Sequence, residues 1–358
     1  MKVFQSIFLI VILLWSLSAP FANSQEKSDL FPVLQNGKWG YIDNTGKIIL
    51  EPQFGYAKYF SEGLAPVLID GKWGYITPSG KIAIEPSFDD AWEFSEGRAL
   101  INIGGNWFSQ TGAYGYIDRS GKIIIKPQFH YADCFSEGVA SVMVGGEWKD
   151  HIMGDNSPGG WTNGKWGYIA KSGGFVIEPK FDNGRSFSEG LAPVKIDDKF
   201  GFINRAGELV IEPKFKLILD GFFEGLAAVQ DKEDKWGFID KLGTNIIEPK
   251  YVFVSSFSEG LTPVAVAEGN ENLMWGAISK SGEMIIHPKF EWLFEFIDGL
   301  APVLIGEKWG YIDVSGKIVI DPKFDKALSL YNGLAEVWLE DKRGYIDKTG
   351  KYIWKPTK

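Results

Sequence analysis

Short apolar runs broken by turn residues fill most of this chain. Residues 64–69, 73–77 and 81–85 are rich in Ile, Val, Tyr and Trp, and Asp70-Gly71-Lys72 and Pro78-Ser79-Gly80 separate them. Runs of that length with Gly-containing breaks read as strands joined by tight hairpins. Side chains alternate across a strand, so Trp39 and Tyr41 face one way while Ile42 faces the other. Both faces of the small sheet are therefore apolar, and both need a cover. No window carries a sustained helical stripe.

The same block recurs. Lys-Trp-Gly-Tyr-Ile-Asp stands at 38–43 and 308–313, with variants at 72–77, 165–170 and 235–240 and weaker copies at 113–118, 199–204, 274–279 and 342–347. A turn and an apolar run follow, then acid-Pro-x-Phe, as in Glu51-Pro52-Gln53-Phe54, then Phe-Ser-Glu-Gly-Leu-Ala-Pro-Val, intact at 60–67 and 187–194. The signature position and the Gly of Ser-Glu-Gly are 24 residues apart in seven of eight copies, whereas the gap from that Gly to the next signature varies from 10 to 28. Insertions thus collect in one connection, the pattern of a fixed framework with variable loops on one side.

The expected fold is all-β: about nine three-stranded antiparallel meanders in tandem, stabilised by packing between neighbouring copies. Pro cannot donate to a ladder, so the Glu-Pro step is expected to end the third strand. Residues 88–94 form either a short fourth strand or a helical turn. The Gly after each signature Trp is read as making room for an aromatic from the next unit. The repeats run from a first strand at 30–34 to a third strand at 351–355, and no strand is split between the ends. That favours an open solenoid or superhelix over a propeller-like ring.

Ahead of the repeats, Lys2, an apolar run at 7–15 and the small residues Ala22-Asn23-Ser24 read as a signal peptide over 1–24, leaving a repeat domain over 25–358. The run is too short to span a bilayer. No cysteine lies near the cleavage point, and no later stretch has the length of a transmembrane helix. Removing 1–24 takes away one lysine and leaves 36 basic against 46 acidic residues. That balance repels nucleic acid and anionic membranes. Cys134 stands alone, so it forms no intrachain disulfide and reads as a small packing residue.

These phased motifs resemble the WG (KWG) β-repeat family of bacterial proteins over residues 30–358. Tyr114, Phe200 and Arg343 replace the signature Trp. The first two keep an aromatic, and Arg343 is expected to cap the array in water. The family carries no established activity or catalytic residues, so the resemblance implies architecture and little about function.

Catalytic patterns are missing. His130, His151 and His287 have no second His or Cys at zinc spacing, and His287 stands in the acid slot before a repeat Pro. There is no nucleophile elbow, P-loop or dinucleotide fingerprint. Glu62, Glu96, Glu137, Glu189, Glu224 and Glu259 recur in the Ser-Glu-Gly slot, and a residue repeated in every unit serves a local role, here a hydrogen bond to a turn backbone.

What remains is three variable connections, at 104–113, 145–164 and 268–273. Trp107, Trp148, His151, Asp155 and Trp161 are the candidate ligand-binding residues, because aromatics beside polar groups suit sugar or protein contact. No cofactor or metal is expected. The leading reading is an exported, non-enzymatic scaffold in the periplasm, at the cell surface or outside the cell, binding a protein or a cell-envelope glycan. The alternatives are a glycan hydrolase using carboxylates from several repeats and a purely structural envelope protein.

Overall fold

The computed structural model describes residues 29–105, 111–149, 160–268 and 272–357. The expected signal peptide lies outside them. Among the described residues there is no helix; nine small antiparallel sheets follow one another along the chain, and one two-stranded hairpin projects from the fourth.

Each sheet is a blade. Blade 1 has three strands, Phe31–Gln35, Lys38–Ile42 and Ile48–Phe54. Blade 2 has four, Tyr56–Ala57, Ala65–Ile69, Lys72–Ile76 and Ile82–Phe88, and blades 3 to 9 follow that order. The three-stranded expectation thus fails for eight of the nine sheets. The stretch left open at 88–94 is a strand, Asp90–Ser95, and belongs to the following blade.

The Glu-Pro step does not end the outermost strand either. The strand runs through Pro52 to Phe54, with register shifts against Lys38–Ile42 at both Trp39/Tyr41 and Tyr41/Ile42. Pro is tolerated there because the strand is a sheet edge and the step is a bulge. The bulge explains the glycine after each signature Trp. A Cβ on Gly40 would lie 2.5 Å from Leu50 O and 2.7 Å from Pro52 N, and Gly201 meets Ile211 O at 2.4 Å and Pro213 N at 2.8 Å. The glycine thus makes room for the outer strand of its own blade, not for an aromatic from the next.

Both faces of each blade are covered, as the alternation requires. Trp39 and Tyr41 pack with Val67 and Ile76 of blade 2, while Ile42 packs with Leu334 and Tyr345 of blade 9. Each large side chain buried this way contributes roughly 1.5–3 kcal/mol. The Tyr41 hydroxyl donates to Lys58 O at 2.8 Å, and Tyr75, Tyr116, Tyr168 and Tyr311 make the same bond 17 residues on.

The Phe-Ser-Glu-Gly turns carry a second relay. Glu62 and Gly63 take φ of 51° and 78°, the paired positive values of a type I′ turn. Ser61 Oγ donates to Phe94 O at 2.6 Å, and the Glu62 carboxylate accepts from Gly97 N–H at 3.0 Å. Glu96, Glu137, Glu189, Glu224 and Glu259 each hold the corresponding glycine of the following blade. The carboxylate does bind a turn backbone, but in its neighbour.

The array closes into a ring, a nine-bladed β-propeller, which overturns the open superhelix. Nine apolar clusters lie between nine blades, and the ninth joins Phe31, Val33 and Ile42 of blade 1 to Leu334 and Tyr345 of blade 9. Among the described residues no strand is shared across the seam. Instead the Tyr345 hydroxyl donates to Pro32 O at 2.9 Å and the Thr357 hydroxyl to Leu34 O at 2.6 Å. The corresponding carbonyls of blade 2, Pro66 O and Leu68 O, accept from the backbone at Lys58 and Gly55 beside the innermost strand. Side-chain donors from the last blade thus serve carbonyls that elsewhere bond to the inner segment.

Gly201→Ala drives a methyl into backbone that cannot yield, so thermal and urea denaturation should show a loss of about 2–4 kcal/mol. Gly71→Ala, at φ 79° with nothing within 4 Å, should cost only about 1 kcal/mol.

Candidate functional site

The variable connections all join the second and third strands of a four-stranded blade, or the equivalent first and second strands of blade 1, so they emerge on one side of the ring. In blades 1 and 2 this connection is a tight turn with paired positive φ, at Asn36-Gly37 and Asp70-Gly71. In blade 3 it spans 104–112, between Arg98–Ile103 and Ala113–Ile117. In blade 4 it runs from Val139–Val144 to Lys165–Ala170 and carries the projecting hairpin, Glu147–Lys149 with Gly160–Thr162. In blade 7 the two strands lengthen to Leu261–Glu268 and Asn272–Ser279.

Of the residues picked from sequence, Trp148 and Trp161 stand directly opposite each other in the blade 4 hairpin. Trp107, His151 and Asp155 lie outside the described residues. The two connections that hold all five leave adjacent blades; the third leaves blade 7, three blades further round.

The ring axis holds polar groups that the sequence reading missed. The innermost strands and the residues after them bring Lys58, Glu93, Asp133, Arg185, Asp220 and Glu295 to the inner edge, all partly buried. Lys58 Nζ donates to Ala91 O at 2.7 Å and sits 4.9 Å from the rings of both Trp73 and Trp92. Asp133 accepts from Ser141 Oγ at 2.5 Å; burial pushes its carboxyl above the ordinary range, and Arg185 opposes that. Burial also raises Asp220. The Cys134 thiol, beside Asp133, is pushed up to about 12, chiefly by burial, which fits a packing residue.

Arg343 is no water-exposed cap. It is ion-paired with Glu336, their side chains 18% and 3% exposed, and its guanidinium lies 4.6 Å from the Trp39 ring. Burial raises the Glu336 carboxyl and Arg343 opposes it. The arginine replaces Trp at the place where blade 9 must meet blade 1. There Tyr59 of blade 2 also reaches across, 3.3 Å from the Tyr345 hydroxyl and with its ring centroid 4.7 Å from that of Tyr331.

The repeated carboxylates are spoken for. Besides the glycine N–H groups, Glu96, Glu137 and Glu189 pair with Lys171, Arg205 and Lys241 of the following blade at 3.0–3.1 Å. Among the described residues no group of three or more His, Cys, Asp or Glu is placed to hold a metal ion, and no helix is long and apolar enough to cross a membrane.

A closed ring of nine sheets whose variation is confined to one side defines a repeat propeller. The chain belongs to the family described as "WG containing repeat", whose model matches residues 39–73, 73–107, 114–148, 166–200, 200–236, 236–267, 275–309 and 309–342. No curated protein sequence matches it. Among solved structures, it is similar to one described as the crystal structure of the eukaryotic initiation factor, with a TM-score of 0.64, 10% identity, and coverage of 92% of this chain and 95% of that one. At that identity the likeness shows the fold alone. BamB from Moraxella catarrhalis matches with a TM-score of 0.40 and 10% identity, covering 83% of this chain and 95% of that one.

Arg343→Met strands the Glu336 carboxylate inside the seam and should lower the unfolding free energy by about 3–5 kcal/mol in urea titrations. Arg343→Met with Glu336→Leu should recover most of that loss.

Proposed function

We propose that this chain is an exported, non-enzymatic scaffold that binds a protein or a cell-envelope glycan through the loop side of its ring. The carrying observation is the placement of the two longest connections on neighbouring blades 3 and 4, one of them a hairpin with Trp148 opposite Trp161. A two-stranded hairpin contributes little stability by itself, so a role in contact accounts for it better than a role in folding. Tryptophan pairs offer large, rigid contact area to either class of partner.

The hydrolase alternative loses its most obvious groups. A glycosidase needs two carboxylates flanking one bond, and the repeated ones are bound to backbone N–H groups between blades. A purely structural role remains the outcome if no saturable partner exists.

Replacing 147–161 by an Asp-Gly turn should leave the melting temperature within about 2 °C, because each blade is held by its neighbours. The same change should reduce retention of envelope glycans and proteins on the immobilised chain by at least about tenfold, roughly 1.4 kcal/mol. Equal retention by both forms refutes the site. For export, the N-terminus of the protein recovered from the producing cell's envelope or medium should be Gln25; recovery from the cytoplasm with Met1 retained overturns that part.

A further inference from the structure

A cavity of about 410 Å³ opens between blades 5 and 6. Lys199 and Lys214 of blade 5 and Lys232 of blade 6 line it, with Phe215, Val229 and Pro249 supplying apolar wall. Three cations around one cavity run against the balance of a chain whose net charge is −9.

A change in the repeat explains how the cations come to be there. In blades 2, 4 and 8 the lysine before the signature pairs with an aspartate 17 residues on: Lys72 with Asp89, Lys165 with Asp182, Lys308 with Asp325. The residue 17 positions after Lys199 is Lys216, a base where those blades have an acid. Lys216 turns instead to Asp234 of blade 6. Among the described residues, no ion pair or hydrogen bond occupies the ammonium of Lys199 or of Lys232. Lys214 gives one N–H to Gly243 O at 3.3 Å and has two more to offer. The single carboxylate in the wall, Asp231, is already engaged: its Oδ1 accepts from Glu233 N–H and Lys235 N–H, each at 2.8 Å.

We propose that this cavity binds a small organic dianion, its negative groups on Lys199 and Lys232 and its apolar body against Phe215, Val229 and Pro249. Ammonium groups act as point charges on anions without demanding one geometry, so phosphate esters and dicarboxylates share the chemistry.

The test is calorimetric titration of the full chain at pH 8 with phenyl phosphate and with phthalate, which join an aromatic body to two negative charges. At least one should bind with a dissociation constant of order 1 mM, weakening as salt rises. The preferred probe separates the two sources. Lys199→Gln with Lys232→Gln should weaken binding at least tenfold, and Lys216→Asp, which returns an acid partner to Lys199, should weaken it in the same direction. Lys38→Gln, the equivalent lysine of blade 1, should leave it unchanged. Absence of binding by both probes at about 20 mM, or binding that these cavity variants do not alter, overturns the proposal.

Discussion

A sheet that is apolar front and back cannot stand in water, and everything else in this molecule answers that constraint. In an array of such sheets each blade covers its neighbours, but an open array still leaves a bare face at both ends. The ring removes those ends. Phe31 and Ile42, which would lie bare on the first blade, pack against Leu334 and Tyr345 of the last. Closure is thus the condition under which every signature Trp, Tyr and Ile has a partner, and a chain with one free cysteine is held by packing and by the polar ties between blades, without an intrachain disulfide.

The repeated motifs resolve into single tasks. Trp and Tyr reach forward to the next blade and Ile reaches back. The intervening Gly lets the outer strand come close. The Asp after the Ile caps the following turn: Asp43 Oδ1 accepts from Thr45 and Lys47 backbone N–H at 2.9 and 3.0 Å, and the Thr45 hydroxyl bond leads in holding that carboxyl below its usual range. The Glu of Ser-Glu-Gly ties one blade to the next. Residues of this kind recur because each does the same job in every copy, and for the same reason they are poor candidates for a unique chemical site.

That logic also sets how far the sequence could be read. Repeat phase, the loop side and the location of three strands per unit follow from alternation and spacing, whereas the run of the third strand through the Glu-Pro step and the short innermost strand of eight blades do not. Closure could not be read from the chain ends, because no strand is exchanged; the seam depends on the Tyr345 and Thr357 hydroxyls, whose partners lie more than 300 residues away. Arg343 looked like a solvent-facing departure because the Glu336 that stands where other blades carry Pro66 or Pro302 becomes its partner only through strand pairing. The polar groups of the axis escaped notice for the opposite reason. Lys58, Trp92, Asp133 and Arg185 occupy one position in successive blades and differ in each, so they form no motif. The lysine cavity was legible only as the exchange of an acid for Lys216.

The bulge at each repeat proline has a further consequence. A propeller exposes one edge strand per blade, so this ring offers nine ready templates for pairing with another molecule. Each template is interrupted by a prolyl residue that cannot donate, and in blades 4 to 8 a lysine follows at once, as in Glu178-Pro179-Lys180 and Asp321-Pro322-Lys323. Prolines and lysines on an edge discourage strand-to-strand polymerisation. The same step that shapes the blade keeps a crowded population of such rings from knitting together.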